Sequence, residues 1–320
     1  MNRFAYVREA DGTVDETDAG AACTSKTADG RFAWIHLDGK ADDTFAWLQD
    51  HGNLPDTVAY ALTAIETRPR CEPIGQGALI NLRGPAAKDV EGDPLVSIRM
   101  WAERGRLISV AYRHLDGLDE VVETMKQAAI KDPGDLIALL AIAITKRIDP
   151  IVTDLGDLVD DCETALDPKN AFETRRRIAA ARSDAIIYRR FVVPEREALT
   201  KLAGLEVDWL EESDRLHLRE AADRFARMAE DLESARERSA LIHEQLTDLR
   251  SELIENRALL LSIVALIFLP LTFVSGLLGM NVKGIPFADE PWAFDAVCLF
   301  CVVIAVAIAA WFAFAHWFRD

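Results

Sequence analysis

The stretch GLLGMNVKGIPFADEPW (276–292) lies between two apolar runs and decides how the chain is read. Before it, Ala258 to Val282 carries no charged residue; after it, Ala296 to Phe318 carries none either. About 20 consecutive apolar residues suffice for a helix to cross a bilayer. Two C-terminal transmembrane helices are therefore expected, 258–282 and 296–318, joined by a loop at 283–295. The N-terminus, MNRFAYVREADG, has no apolar core and no small-residue cleavage site, so no secretory leader is expected. Arg238, Arg250 and Arg257 precede the first span and Arg319 follows the second, whereas the loop carries only Lys283. That bias predicts a plasma (inner) membrane protein with both termini cytoplasmic and the loop outside.

The remainder is charged and soluble in character. The formal net charge is −17, which argues against nucleic acid as a partner, since that would want a basic face. Five cysteines lie at 23, 71, 162, 298 and 301; the first three are expected as reduced thiols. Cys298 and Cys301 form a C-x-x-C inside an apolar run, where cysteine behaves as a small hydrophobe. No G-x-S-x-G, Walker A loop or H-E-x-x-H is present, so catalysis is not expected.

Residues 1–116 read as a cytoplasmic α/β domain. FAWIHLD (32–38), GALINLRG (77–84), LVSIRMWAE (95–103) and RLISVAYR (106–113) are strand-like, the last two joined by a turn at Arg104-Gly105. DDTFAWLQDHG (42–52) and PDTVAYALTAIE (55–66) read as helices. Residues 117–204 form a helical segment, with one helix over Asp135–Leu166 and another over Lys169–Val193 that Pro194 should end. The acids Asp154, Asp157, Asp160, Asp161 and Glu163 on the first helix read as a solvated face, with cation sensing as the alternative.

A long stalk helix, 205–257, is expected to run without interruption into the first span, since Leu205 to Ser275 holds no glycine and one proline, Pro270. Leu218, Ala222, Phe225, Ala229, Leu232, Ile242, Leu246, Leu249 and Leu253 follow three-and-four spacing. Such a seam predicts partners, hence a symmetric homo-oligomer.

Two helices per subunit cannot enclose a water-filled path alone, but several copies can. Ala258, Leu261, Ala265, Leu269 and Thr272 form one stripe, expected to line the centre. At its outer end Gly279 lets the backbone leave the helix, Met280 follows, and Asn281 presents an amide. A ring of such amides can hold a divalent ion by its hydration shell, which suits an ion that dehydrates reluctantly. Asp289, Glu290 and Asp295 against Lys283 give each loop a net negative charge that concentrates cations at the mouth. Three residues alone read as a helix C-cap; the two spans, the seam and the acidic loop favour the mouth. His217 and His243 are candidate metal ligands on the stalk, although isolated helix-surface histidines are usually structural.

With these residues in place, the sequence resembles the CorA family of divalent-cation transporters, whose hallmark is Gly-Met-Asn at the end of the first of two C-terminal spans. IFLPLTFVSGLLGMN (267–281), ETRPR (66–70), GALINLR (77–83) and GMNVKGIP (279–286) resemble its zinc-transporting ZntB branch. The resemblance implies a homopentameric funnel with Gly279, Met280 and Asn281 at the selectivity mouth, Thr272 as the next polar ring and Leu269 in the pore. It implies transport of a divalent cation, zinc or alternatively magnesium or cobalt, with no tightly bound cofactor. Zinc-type members are thought to be proton-coupled and magnesium-type ones to be gated channels. The loop departs from magnesium-type members, running Ile285-Pro286-Phe287 in place of Met-Pro-Glu. A reading from another class is a membrane-anchored coiled-coil sensor, for which Asn281→Ala would be silent.

Overall fold

A computed structural model describes residues 3–24, 30–65, 68–87, 93–167, 170–280, 282, 284–285, 287 and 290–317. It divides into two compact units, Met1–His243 and Glu244–Asp320.

The first unit is built on a seven-stranded sheet. In chain order come β1 (Phe4–Arg8), β2 (Val14–Thr17), α1 (Ala19–Thr24), β3 (Phe32–Asp38), α2 (Thr44–Asp50) and α3 (Asp56–Leu62). Then follow β4 (Arg70–Ile74), β5 (Gly77–Pro85), β6 (Leu95–Glu103) and β7 (Arg106–Ala111). The strand order is β2-β1-β3-β7-β6-β5-β4, with β3–β7 parallel and every other pair antiparallel. The expected turn at Arg104-Gly105 closes the β6–β7 hairpin, where Gly105 takes φ 71°, a conformation that costs glycine nothing. β1, β2 and β4 were not anticipated. They are short and charged or proline-bearing, so little apolar alternation marks them.

Both faces of this sheet are covered. On one, Ala33, Ile35 and Leu37 of β3 join Ile108 and Val110 of β7 against Trp47 and Leu48 of α2 and Val58 and Leu62 of α3. On β3's other face Trp34 and His36 are buried, and both bond the Ser109 hydroxyl, at 2.9 and 2.8 Å. Burial pulls His36 down to about 3, so it is neutral there. α2 and α3 are shorter than the segments that predicted them.

Beyond the sheet lie α4 (Leu118–Lys126), α5 (Pro133–Thr164), α6 (Ala171–Ala203) and α7 (Glu212–Leu278). The expectation that Pro194 ends a helix is wrong: α6 continues through it to Ala203. A proline inside a helix forfeits one backbone bond. Here Val192, Glu195, Ala198, Leu199 and Leu202 are buried around and beyond that point, and their packing holds the helix together. α7 starts at Glu212, not 205, because Trp209 in the connection donates its indole N–H to Gln76 O at 2.9 Å.

The apolar seam of α7 also has a different explanation. Leu218, Ala222, Phe225, Leu232 and Ile242 are buried within the single chain. Arg238 binds Asp160 of α5 at 2.5 Å and also Glu163, while Arg189 of α6 binds Glu233 of α7 at 2.8 Å. The seam up to Ile242 is therefore the inner face of an intrachain bundle and does not by itself call for a second copy. The same ion pairs occupy part of the acidic face of α5.

In the second unit α7 ends at Leu278 and is followed, after the loop, by α8 (Ala293–Trp317). Both helices are long and apolar enough to cross a membrane, with mean hydropathy 2.5 and 2.6 over their best windows.

Candidate functional site

The apolar part of α7 has two unlike sides. Ile263, Ile267, Pro270, Leu271, Val274 and Leu278 are partly covered; on α8 so are Val297, Cys301, Ile304, Ala305, Ile308 and Phe312. At about 100° per residue, the covered residues of α7 cluster in one sector, and Ala258, Leu261, Ala265, Leu269 and Thr272 lie roughly opposite it. All five are exposed, Leu261 at 68% and Leu269 at 75%. The Thr272 hydroxyl donates to Phe268 O at 2.7 Å, which keeps it on the helix with lone pairs facing outward. Leu269 and Thr272 also edge a groove shared with Ile308 and Trp311 of α8. Exposed leucines and phenylalanines continue along both helices, a surface that water does not tolerate.

At the end of α7 the Gly279 N–H still donates to Ser275 O at 2.9 Å. Gly279 directly follows the last residue of α7 and is not in the left-handed region. A Cβ at this position would sit 3.0 Å from Ser275 O, so the small residue relieves a close approach. Met280 is exposed, and its carbonyl accepts the Val282 N–H at 3.0 Å. Asn281, Lys283 and Asp289 lie outside the described residues. Glu290 accepts the Ala293 N–H on its backbone carbonyl, and Asp295 sits in the first turn of α8, where a carboxylate offsets the helix dipole. Phe287 and Trp292 pack ring to ring at 5.3 Å beside them.

The stalk histidines are not brought together. His217 is exposed, and His243 is half-buried with its Nε2 3.3 Å from an Arg175 guanidinium nitrogen.

Among the described residues, one group of three carboxylates is close enough to share an ion: Asp132, Asp135 and Asp214, with one oxygen from each within 4.8 Å of the others. One oxygen of each accepts a backbone N–H near a helix start. Asp132 caps α5 by accepting the Asp135 N–H at 2.9 Å, and Asp135 accepts the Lys131 N–H at 3.1 Å. Asp214 accepts the Glu211 N–H at 2.8 Å at the start of α7. Burial, reinforced by the Asp132 charge, pushes Asp214 up to about 7. Burial likewise lifts Asp132 to about 6. The group joins two helix starts, those of α5 and α7. The spacing Asp132-x-x-Asp135 and Glu211-x-x-Asp214 is a capping signal that could have flagged each half in the sequence.

The profile of the family described as "CorA-like Mg2+ transporter protein" matches residues 29–313. The zinc transport protein ZntB of Pectobacterium atrosepticum is 31% identical over 286 residues, 89% of this chain and 87% of that protein. ZntB of Yersinia enterocolitica is 28% identical over 98% of this chain and 95% of its own. Among solved structures, full-length CmaX superposes with TM-score 0.78 at 28% identity, covering 98% of this chain and 96% of that one. The CorA magnesium transporter of Methanocaldococcus jannaschii superposes with TM-score 0.79 over 98% of each chain; at 17% identity it speaks for the fold alone.

Proposed function

We propose that this chain, which belongs to the CorA-like Mg2+ transporter family and to its ZntB-like branch, is one subunit of a membrane pore for divalent metal cations, with zinc preferred. The family is one of transporters, not enzymes. The observation that carries the reading is the placement of Ala258, Leu261, Ala265, Leu269 and Thr272. They occupy the side of α7 remote from its partly covered face and lead to Gly279 and Met280. A homo-oligomer, a pentamer by the family resemblance, puts that stripe around a common axis and α8 toward lipid. Asn281 then forms the outer ring, with the acids at 289, 290 and 295 drawing cations to it. A stripe without histidine, cysteine or carboxylate passes a cation with its water attached, since it offers no inner-shell ligand. The apolar rings resist leakage by excluding water when closed. Both termini face the cytoplasm and the host membrane is the inner one, following the arginine bias. Coupling of zinc passage to a proton gradient rests on the resemblance to zinc-type members, with the gated channel of magnesium-type members as the alternative.

The test is flux into liposomes holding the purified protein, with Zn²⁺ or Mg²⁺ outside, a metal-sensitive dye inside, and runs with and without a pH gradient. Gradient-dependent zinc entry that falls in Asn281→Ala is the expected result. Magnesium entry indifferent to pH replaces it with the magnesium-channel reading. Absence of any flux from folded oligomer favours a membrane-anchored sensor.

A further inference from the structure

In an acidic protein that handles cations, one cavity is strongly basic. It measures about 640 Å³ and lies where the ends of β5, β6 and β7 meet α6. Arg68, Arg83, Arg99, Arg113 and Arg190 line it, against a single acid, Asp93, among the described residues.

Asp93 offsets one of these charges, that of Arg83. The Asp93 carboxylate pairs with Arg83, and its backbone carbonyl takes a hydrogen bond from Arg113 at 2.6 Å. Glu195, behind the wall, accepts the Arg83 backbone N–H; burial raises its carboxyl well above the ordinary range, toward the neutral form, against the opposing pull of that hydrogen bond and of the Arg83 charge. Arg99 is the informative residue. It is only 2% exposed, and its guanidinium bonds two backbone carbonyls, Ser97 O at 3.3 Å and Ile65 O at 2.9 Å. Among the described residues it has no carboxylate partner, and its Nε has no hydrogen-bond partner. Asn81, its cross-strand neighbour, is buried with both amide atoms unpartnered, and the buried Arg83 Nε is unpartnered too.

A buried charge without a counter-ion is costly, and buried polar groups in native proteins are nearly always satisfied. The charge of Arg83 bears on Arg99, which adds like-charge repulsion. The two guanidiniums are held in place by rings: Arg83 lies over Phe191 at 4.0 Å and Arg99 over Tyr112 at 4.9 Å. Two fixed forks at the back and two exposed arginines, Arg68 and Arg190, at the rim present positive charge along the length of the cavity. Guanidinium forks match phosphate oxygens in pairs. The volume exceeds that of a single phosphate and falls in the range of small-molecule sites. Leu95 and Val96 on the wall and the exposed Ile65 at the edge supply apolar surface for an organic portion.

We propose that this cavity is a binding site for an organic polyphosphate of about nucleotide size, with Arg83 and Arg99 holding one end of the phosphate chain and Arg68 and Arg190 the other. This assignment is independent of the transported ion.

The experiment is isothermal titration calorimetry on the full-length protein in detergent, in chelator-treated buffer free of divalent cations, so that neither transport nor metal binding enters the readout. The probes are ATP, inorganic triphosphate and inorganic phosphate, each at two salt concentrations. ATP is expected to bind with Kd below about 1 mM, weakening as salt rises. Arg68→Ser and Arg190→Ser are surface substitutions that leave thermal stability unchanged; each should weaken ATP binding by about tenfold, the worth of one charge-assisted hydrogen bond. No binding of ATP or triphosphate overturns the proposal, as does an ATP affinity that both substitutions leave untouched. Inorganic phosphate binding as tightly as ATP overturns the polyphosphate assignment.

Discussion

Replacing Asp214 by Asn should make the protein more stable at pH 8 and change it far less at pH 5. Asp214 is fully buried, its Oδ2 accepts the Glu211 N–H, and its carboxyl is pushed up to about 7 from an ordinary 3.8 by burial and by the Asp132 charge. An acid whose folded pKa is raised holds its proton longer when folded than when unfolded. Stability contributed here is therefore full below the unfolded value and is lost as pH rises through the folded one. The window runs from about pH 4 to about pH 7. Across that window, at about 1.4 kcal/mol per pH unit, the loss amounts to about 4 kcal/mol. The neighbouring Asp132 is itself raised and its charge acts on Asp214, so roughly half of that, about 2 kcal/mol, belongs to Asp214 alone. Asn keeps the acceptor that caps Glu211 and can donate to the Asp135 carboxylate, so the substitution removes the charge and little else. The assay is thermal unfolding of the detergent-solubilised chain, followed by fluorescence of the buried Trp34, Trp47, Trp101 and Trp209. At pH 8 the variant should melt about 5 °C above the parent; at pH 5 roughly a third of that gain should remain. A variant destabilised equally at both pH values would refute the reasoning, because the carboxylate would then be acting as a charged cap.

Three further outcomes are expected. Gly134→Ala should destabilise by about 2 kcal/mol despite alanine's better helix propensity, since its Cβ would fall 2.3 Å from Asp214 Oδ2; a higher melting temperature would contradict the packing. His36, held neutral by burial, has the opposite sign to Asp214: its contribution is full above about pH 6.5 and is lost as pH falls. His36→Gln should therefore lose less stability than the parent between pH 7 and pH 5, read by the same melting curves. In the proposed pore, with Cys298 and Cys301 replaced by serine, Leu269→Cys should react with a charged thiol reagent and lose flux, while Ile267→Cys on the partly covered side should not; equal reaction at both would reject the assignment of faces.

Much of the architecture was legible because it depends on neighbours along the chain. Strands β3, β5, β6 and β7 show as apolar runs broken by Gly and Pro, and the β6–β7 turn is announced by Gly105. Where a residue's role rests on distant partners, the reading went astray. Pro194 looked like a helix end because the packing that holds α6 together across it comes from residues on the sheet. The seam of α7 looked like an oligomer contact because its intrachain partners, α5 and α6, lie some 50 residues away in sequence. Gly279 stands one residue past the end of α7, outside the left-handed region, with the Ser275 carbonyl close to where a Cβ would lie.

The length and polarity of the segments were settled by local chemistry alone. Uncharged runs long enough to span a bilayer, an acidic loop and Gly-Met-Asn between them already point to a cation path, since hydropathy and helical period act over a few turns. The tertiary structure decided what charge and burial do at long range. Asp132 and Asp214 meet across two helix starts, and Arg83, Arg99 and Arg190 converge from two strands and a helix. No pattern along the chain places those groups together. Their pKa values and their need for a counter-ion arise only when folding removes water from around them.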